Sequence, residues 1–317
     1  MTPRHTALAL LVVVLWGFNF VVIDEGLDGV PPLLFLALRF VVVAIPAIFL
    51  VPRPKAPWTT VVLVGLFLSL GQFSLLYLSL AAGMPPGLAS LLLQVQVVFT
   101  LVLASATLRE KPRRMQIVGV VVGMVGLGVV ISGQATVVPL LALLLILAAA
   151  LSWATGNVIT RHAKVSSGLS LVVWSALVVP LPSFGLSLLV DGPVAVGDAL
   201  SHLSLTAILS TVYTAVAASL VGYGIWNSLM ARYPAGRVAP FTLLVPVIGI
   251  AAAWIVQHEQ PSVTDLVGGA VMLVGLAAAV IVLDGRRRGP GAADGLGAPL
   301  DLPVPAARED RVTAPSP

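Results

Sequence analysis

The sequence predicts an all-α membrane protein of ten transmembrane helices, arranged as two inverted five-helix repeats. Three observations carry this. The 317 residues are 58% hydrophobic and only 9% charged, with a mean hydropathy of +1.06, whereas a soluble domain carries about 25% charged residues. Uncharged runs recur at about 20 residues, the length at which a helix crosses roughly 30 Å of hydrocarbon. The second half of the chain also repeats the first at a fixed offset.

Ten spans are expected at about 6–23, 33–51, 58–80, 86–107, 115–132, 137–160, 168–190, 203–230, 236–257 and 263–283. The first apolar run, from Thr6 to Ile23, follows Arg4 but lacks a small-x-small cleavage site, so it reads as span 1 rather than a signal peptide. Prolines at 31–32, 52, 54, 57, 85–86, 234 and 261 fall near the breaks, as suits a residue that starts helices and does not continue them. Residues 285–317 are rich in Gly, Pro and Ala without apolar periodicity and are expected to form a disordered cytoplasmic tail.

Charge then orients the spans. Of the 17 Lys and Arg residues, all but Arg39 fall at one side, including Arg4, Arg53, Lys55, Arg109–Arg114, Arg161, Lys164, Arg232, Arg237 and Arg286–Arg288. Asp24, Glu25, Asp28, Asp191, Asp198, Glu259 and Asp265 fall at the other. By the positive-inside rule the basic side is cytoplasmic, with both termini on it. The high pI of 9.9 therefore reports topology and not a nucleic-acid partner.

The repeat is read by shifting the chain. At an offset of 149, Tyr77 meets Trp226, Pro85 meets Pro234, Gly87 meets Gly236, Glu110 meets Glu259 and Gly126 meets Gly275. Nearer the N-terminus the offset is 137, where Trp16 meets Trp153 and Asn19 lies one residue from the register of Asn157. The change fits a longer loop around Asp191 to Asp198. The expected units are 1–133, 134–284 and the tail 285–317. Five helices per repeat invert the second copy, and two inverted halves can expose a central site to each side in turn. The alternative is a duplicated scaffold with a static or packing role.

Further exclusions come from absences. There is no Cys, so disulfides, thiolate metal sites and a Cys nucleophile are out. The four His lie at or beyond span ends, and no Asp or Glu lies in the middle of a span. No catalytic residue, metal or cofactor is expected, and a mid-membrane carboxylate relay for protons is missing.

Polar groups in hydrocarbon are costly and usually face protein or a wet cavity. Arg39, in span 2, has two readings: a fork for a substrate carboxylate, or a structural residue that snorkels outward or meets Asp24, Glu25 or Asp28. Trp16, Asn19 and Phe20 share a face of span 1, as Trp153, Asn157 and Thr160 do in span 6. These stripes line a cavity or glue helices together. Gln72 and Tyr77 in span 3, Gln94 and Gln96 in span 4, and Tyr223, Trp226 and Asn227 in span 8 complete the candidate pathway. Gln94 and Gln96 face nearly opposite sides, so only one of them can line it. Pro240 and Pro246 in span 9 are candidate hinges, because a proline inside a helix frees a carbonyl. Gly119, Gly123, Gly268 and Gly275 give spans 5 and 10 small faces for bundle or homodimer contacts.

Leu15-Trp16-Gly17-Phe18-Asn19, Arg39, Gly83-Met84-Pro85-Pro86-Gly87, Gly222-Tyr223-Gly224-Ile225-Trp226, and Val238-Ala239-Pro240 to Val245-Pro246 together resemble the EamA family of the drug/metabolite transporter superfamily. The resemblance covers about residues 6–284 and departs in the long tail. It is strongest to exporters of the O-acetylserine/cysteine type. It implies a multi-pass exporter of small amino-acid-like metabolites in a bacterial inner membrane, working through a neutral polar cavity. Export of aromatic amino acids, purines or neutral xenobiotics stays open, as does a non-transporting scaffold.

Overall fold

A computed structural model describes residues 1–108, 112, 114–134, 138–163, 168–233 and 235–281. The loop residues Arg109, Glu110, Lys111, Arg113, Lys164 and Pro234, and the predicted tail, lie outside the described residues. The described residues form helices only, as they must if the chain lies in lipid, where a helix satisfies its own backbone.

Among the described residues, nine helices are long and apolar enough to cross a membrane: Pro3–Gly26, Pro32–Leu50, Trp58–Ala81, Pro86–Thr107, Arg114–Gly133, Leu140–Ala163, Ser170–Val190, Leu205–Met230 and Ala239–Gln257. A shorter apolar helix, Val263–Ala279, follows. These are spans 1–10, each over a predicted one. Two boundaries differ. Asp24 and Glu25 belong to the last turn of span 1 rather than to a loop. The expected loop around Asp191 to Asp198 holds a short helix, Gly192–Ser201, which opens on Gly-Pro.

Packing follows the duplication. Span 1 packs on spans 8 and 9, and span 6 on spans 3 and 4. Span 2 meets spans 7 and 8, and span 7 meets spans 2 and 3; span 4 meets span 9, and span 5 meets span 10. Exchanging each span of the first half with the one five places on maps these contacts between the halves onto themselves.

The departures from plain α-helix are also duplicated. Span 3 contains a π-helical segment, Gly65–Gly71, and span 8 contains another, Tyr213–Val221; an offset of 149 superposes them. Span 4 tightens to a 3₁₀ turn at Leu93–Val95 and span 9 does so at Ala239–Leu244, again in register. π and 3₁₀ segments misalign some backbone groups and often mark functional positions. Pro246 sits just beyond the second 3₁₀ segment. Lacking an N–H, it cannot donate to the Thr242 carbonyl, which accepts instead from the Val245 N–H and from Gln94 Nε2, the latter at 3.2 Å.

Spans 5 and 10 lie against each other along their length. A Cβ on Gly119 would lie 2.5 Å from the Gly275 carbonyl, one on Gly268 2.8 Å from the Gly126 carbonyl, and one on Gly126 or Gly275 would strike backbone nitrogen of the facing helix. The glycine stripes thus serve a contact within one chain. Apolar side chains such as Val121, Val125, Val267 and Val274 are exposed on the outer surfaces of this pair, where hydrocarbon would meet them. Gly126→Val is expected to destabilise the fold by about 1–3 kcal/mol through overpacking. Gly128→Val, facing open space, is expected to leave it unchanged. Thermal unfolding of the two variants in detergent checks this.

Candidate functional site

The site is built where span 2 meets spans 3 and 8. Span 2 is apolar except at Arg39, whose side chain is 2% exposed. It does not snorkel outward, and its hydrogen bonds go to hydroxyls rather than to Asp24, Glu25 or Asp28. Its Nη1 donates to the Tyr77 hydroxyl at 2.9 Å and its Nη2 to Ser219 Oγ at 3.0 Å. The guanidinium carbon lies 4.3 Å from the centre of the Phe73 ring and 5.5 Å from that of Phe40, so π faces supply part of the charge compensation. Its Nε has no hydrogen-bond partner among the described residues. A guanidinium keeps its proton under all protein conditions. The centre therefore holds a fixed positive charge with donors in excess of acceptors.

Local structure positions each partner. Phe73 and Tyr77 stand at i and i+4, hence on one face of span 3. Ser219 lies inside the π segment of span 8 and donates to the Thr214 carbonyl at 2.8 Å, five residues back. One residue before it, the Ala218 carbonyl accepts from Trp16 Nε1 at 2.9 Å. The Trp16 indole stacks at a tilt on Tyr223 (5.1 Å) and Trp226 (5.3 Å), and Gly222 leaves room for it: a Cβ there would lie 2.6 Å from Trp16 Nε1. Span 6 mirrors this link, since Ser152 Oγ donates to the Phe67 carbonyl in the π segment of span 3 at 2.8 Å.

The candidate residues thus divide. Arg39 and Tyr77 are in contact, and Trp16, Tyr223 and Trp226 form an aromatic cluster joined to them through Ala218 and Ser219. Asn227 is engaged locally, donating to the Tyr223 carbonyl at 2.7 Å. Asn157 Nδ2 donates to Gln96 Oε1 at 3.1 Å, tying span 6 to span 4. Gln94 holds the Thr242 carbonyl; Pro240 and Pro246 flank the 3₁₀-to-α change of span 9. Gln72 is buried, Trp153 packs against the main core, and the Oδ1 of buried Asn19 has no partner among the described residues. Ser219 and Phe73 are additions. Ser219 sits in the run Ala217-Ala218-Ser219-Leu220, which carries no periodic cue, whereas Phe73 was legible from its spacing to Tyr77. Two cavities, of about 480 and 200 Å³, are lined chiefly by apolar residues of spans 4, 5, 6, 9 and 10 and contain none of the candidate pathway residues. Around Arg39 the side chains are closed on one another.

Residues 5–132 and, again, 140–281 match the EamA-like transporter family. The chain belongs to the EamA-like transporter family. It is 44% identical to a protein of Salmonella typhimurium named "Probable amino-acid metabolite efflux pump", over 87% of this chain and 94% of that one. The Escherichia coli protein of the same name is 42% identical over 90% and 98%. A "Probable terminal-alkyne amino-acid exporter" of Streptantibioticus cattleyicolor is 29% identical over 88% and 94%. A solved structure titled "Crystal structure of protein" shares the fold at a TM-score of 0.61 and 19% identity, covering 89% of this chain and 98% of that chain. This EamA-like chain is thus a multi-pass membrane transporter.

The Trp16 bond to Ala218 predicts a positioning role. Trp16→Phe keeps an aromatic ring but leaves the carbonyl without its donor, and is expected to cost about 1 kcal/mol. Trp226→Phe makes the same reduction in ring size, but no indole hydrogen bond of Trp226 is seen among the described residues, so a smaller loss is expected. Melting temperatures of the two variants in detergent check this. Equal shifts would assign Trp16 to packing alone.

Proposed function

We propose that this transporter exports small amino-acid-like metabolites, of the O-acetylserine/cysteine type, across a bacterial inner membrane by alternating access. Both termini would face the cytoplasm, and residues 1–133 and 134–284 would be the two moving halves. The observation that carries the reading is Arg39: a buried, permanently charged fork whose partners are hydroxyls and aromatic faces. A substrate carboxylate would supply the missing acceptors, and two parallel N–H···O bonds would fix its orientation. The names of the relatives in Salmonella typhimurium and Escherichia coli support amino-acid metabolites as the class.

The aromatic cluster of Trp16, Tyr223 and Trp226 favours a second reading within the same chemistry, an amino acid with an apolar or aromatic side chain. Arg39, Tyr77, Asn19, Gln72 and the aromatic cluster form the pathway in either case. Gln94, Gln96, Asn157 and Asn227 hold backbone or one another, and Trp153 closes the far wall.

Charge accounting bears on energetics. A zwitterion adds no net charge to the site, so the loaded and the empty protein carry the same single positive charge through the membrane field. The membrane potential, about 2.3 kcal/mol per charge per 100 mV, then drives no net export. With no carboxylate in mid-span, transport would be facilitated or weakly coupled.

Three outcomes are expected. In proteoliposomes, Arg39→Met should weaken binding of carboxylate-bearing substrates at least tenfold, from the loss of about 1.5–3 kcal/mol in charge-assisted hydrogen bonding. Amide derivatives of the same compounds should compete poorly with the unmodified protein; equal competition by amides overturns the carboxylate reading. A pH gradient alone should not concentrate substrate against its own gradient, and accumulation under those conditions would sink the uncoupled mechanism.

A further inference from the structure

At the acidic end of the bundle, the loop between spans 9 and 10 ties the second half of the chain to the first. Span 9 ends at Gln257, and His258 takes a left-handed conformation with φ at +57°, which turns the chain back over the bundle. Gln257 Nε2 donates to Asp24 Oδ2 and to Glu25 Oε1, each at 2.8 Å, at the end of span 1. Glu259 reaches the first turn of span 4, where its Oε2 accepts from the Gly87 N–H at 3.3 Å. The approach is close: a Cβ on Gly87 would stand 3.2 Å from Glu259 Oε1 and 3.2 Å from the Ile250 Cα. Three elements, spans 1, 4 and 9, are thereby held together at one end, across the boundary between the two repeats.

A central site can open to that side only if this closure parts. We propose that Glu259 is a proton-binding latch at the acidic end, whose protonation holds that end shut and whose ionisation favours its opening. Unlike a coupling site, it takes up and releases its proton on one side, so none crosses the membrane.

The charged surroundings set the sign. Burial pushes the Glu259 carboxyl above its usual range, the Gly87 N–H opposes this, and Asp24 from span 1 and Asp265 from span 10 push it up further, with the Leu88 N–H opposing more weakly. Glu25 lies beside Asp24 at the end of span 1, and the two share the Gln257 amide. When the end opens, the carboxyl enters water and returns towards its ordinary value. The closed form thus holds the proton more tightly than the open form. Acidification through the window between the ordinary and the raised value therefore favours closure, and a rise in pH through it favours opening. The neutral acid still accepts from the Gly87 N–H, without the cost of burying a charge.

The chain contains no Cys, so a single reporter thiol can be placed beneath the latch. Ser90 is 1% exposed, one turn below Gly87, against Gly249 of span 9. Full-length Ser90→Cys protein in membrane vesicles is labelled with a membrane-impermeant thiosulfonate added on the acidic side, with and without Glu259→Gln. The ratio of the two labelling rates cancels the titration of the thiol itself. We expect the protein with Glu259 to label severalfold faster than the Gln variant at mildly alkaline pH, and the two rates to converge as the medium is acidified. Glu259→Asp, too short to reach Gly87, should label faster than both throughout. A ratio that does not change with pH overturns the proposal, as does a Gln variant that labels as fast as the Asp variant. Labelling needs no substrate, so its failure would leave the export reading standing.

Discussion

Each backbone N–H and C=O of a chain in lipid has to find a partner inside the protein, and this constraint organises the molecule beyond making it helical. Where spans 3 and 8 widen to π-helix and where span 9 tightens before Pro246, the helical bonds leave the i→i−4 register. Side chains from the neighbouring half of the bundle donate to carbonyls there: Trp16 to Ala218, Ser152 to Phe67 and Gln94 to Thr242. Each of these is a contact between repeats. The irregular turns are therefore among the places where the two halves meet, and a movement of one half against the other would pass through them.

The same constraint gives the polar residues two kinds of work. Gln94, Gln96, Asn157 and Asn227 are polar groups in an apolar setting, and each is occupied by a backbone carbonyl or another amide. Arg39 differs. Its neighbours supply two hydroxyl acceptors and two ring faces against five donors, so it is under-satisfied in a region where under-satisfaction is expensive. A residue that only held helices together would be cheaper as a neutral amide. That excess of donors is what the proposed substrate carboxylate would meet.

The spans were legible because hydropathy, proline placement and the segregation of Lys and Arg all report the same alternation. The duplication was legible because Tyr77, Pro85, Gly87 and Gly126 keep a common offset. The π segments were not, since a widened turn needs no particular residue: Gly65–Gly71 reads as an ordinary apolar stretch. Ser219 was hidden for the same reason, and its repeat counterpart is Leu70. The burial of Arg39 was undecided by position alone, because depth along a helix says nothing of which neighbour the side chain faces. The choice was made by spans 3 and 8, through Tyr77, Phe73 and Ser219. The surroundings of Asn19 and the assembly of the aromatic cluster are likewise properties of how spans meet.

Symmetry places the frame, and its failure places the chemistry. At an offset of 137 the counterpart of Arg39 is Ala176, and at 149 that of Gln96 is Val245. A second buried guanidinium at Ala176 would face the first across a bundle with no carboxylate to separate them, and both would suffer the repulsion and the desolvation. More than energy is at stake. A ligand with a single carboxylate has no two-fold axis, so a site with matching charges in both halves would hold it equally well in two opposed orientations. One arginine in one half removes that ambiguity while leaving the remaining contacts between the halves nearly equivalent. Under the proposed alternating access, the frame would exchange the conformations of its two halves while the ligand keeps one orientation.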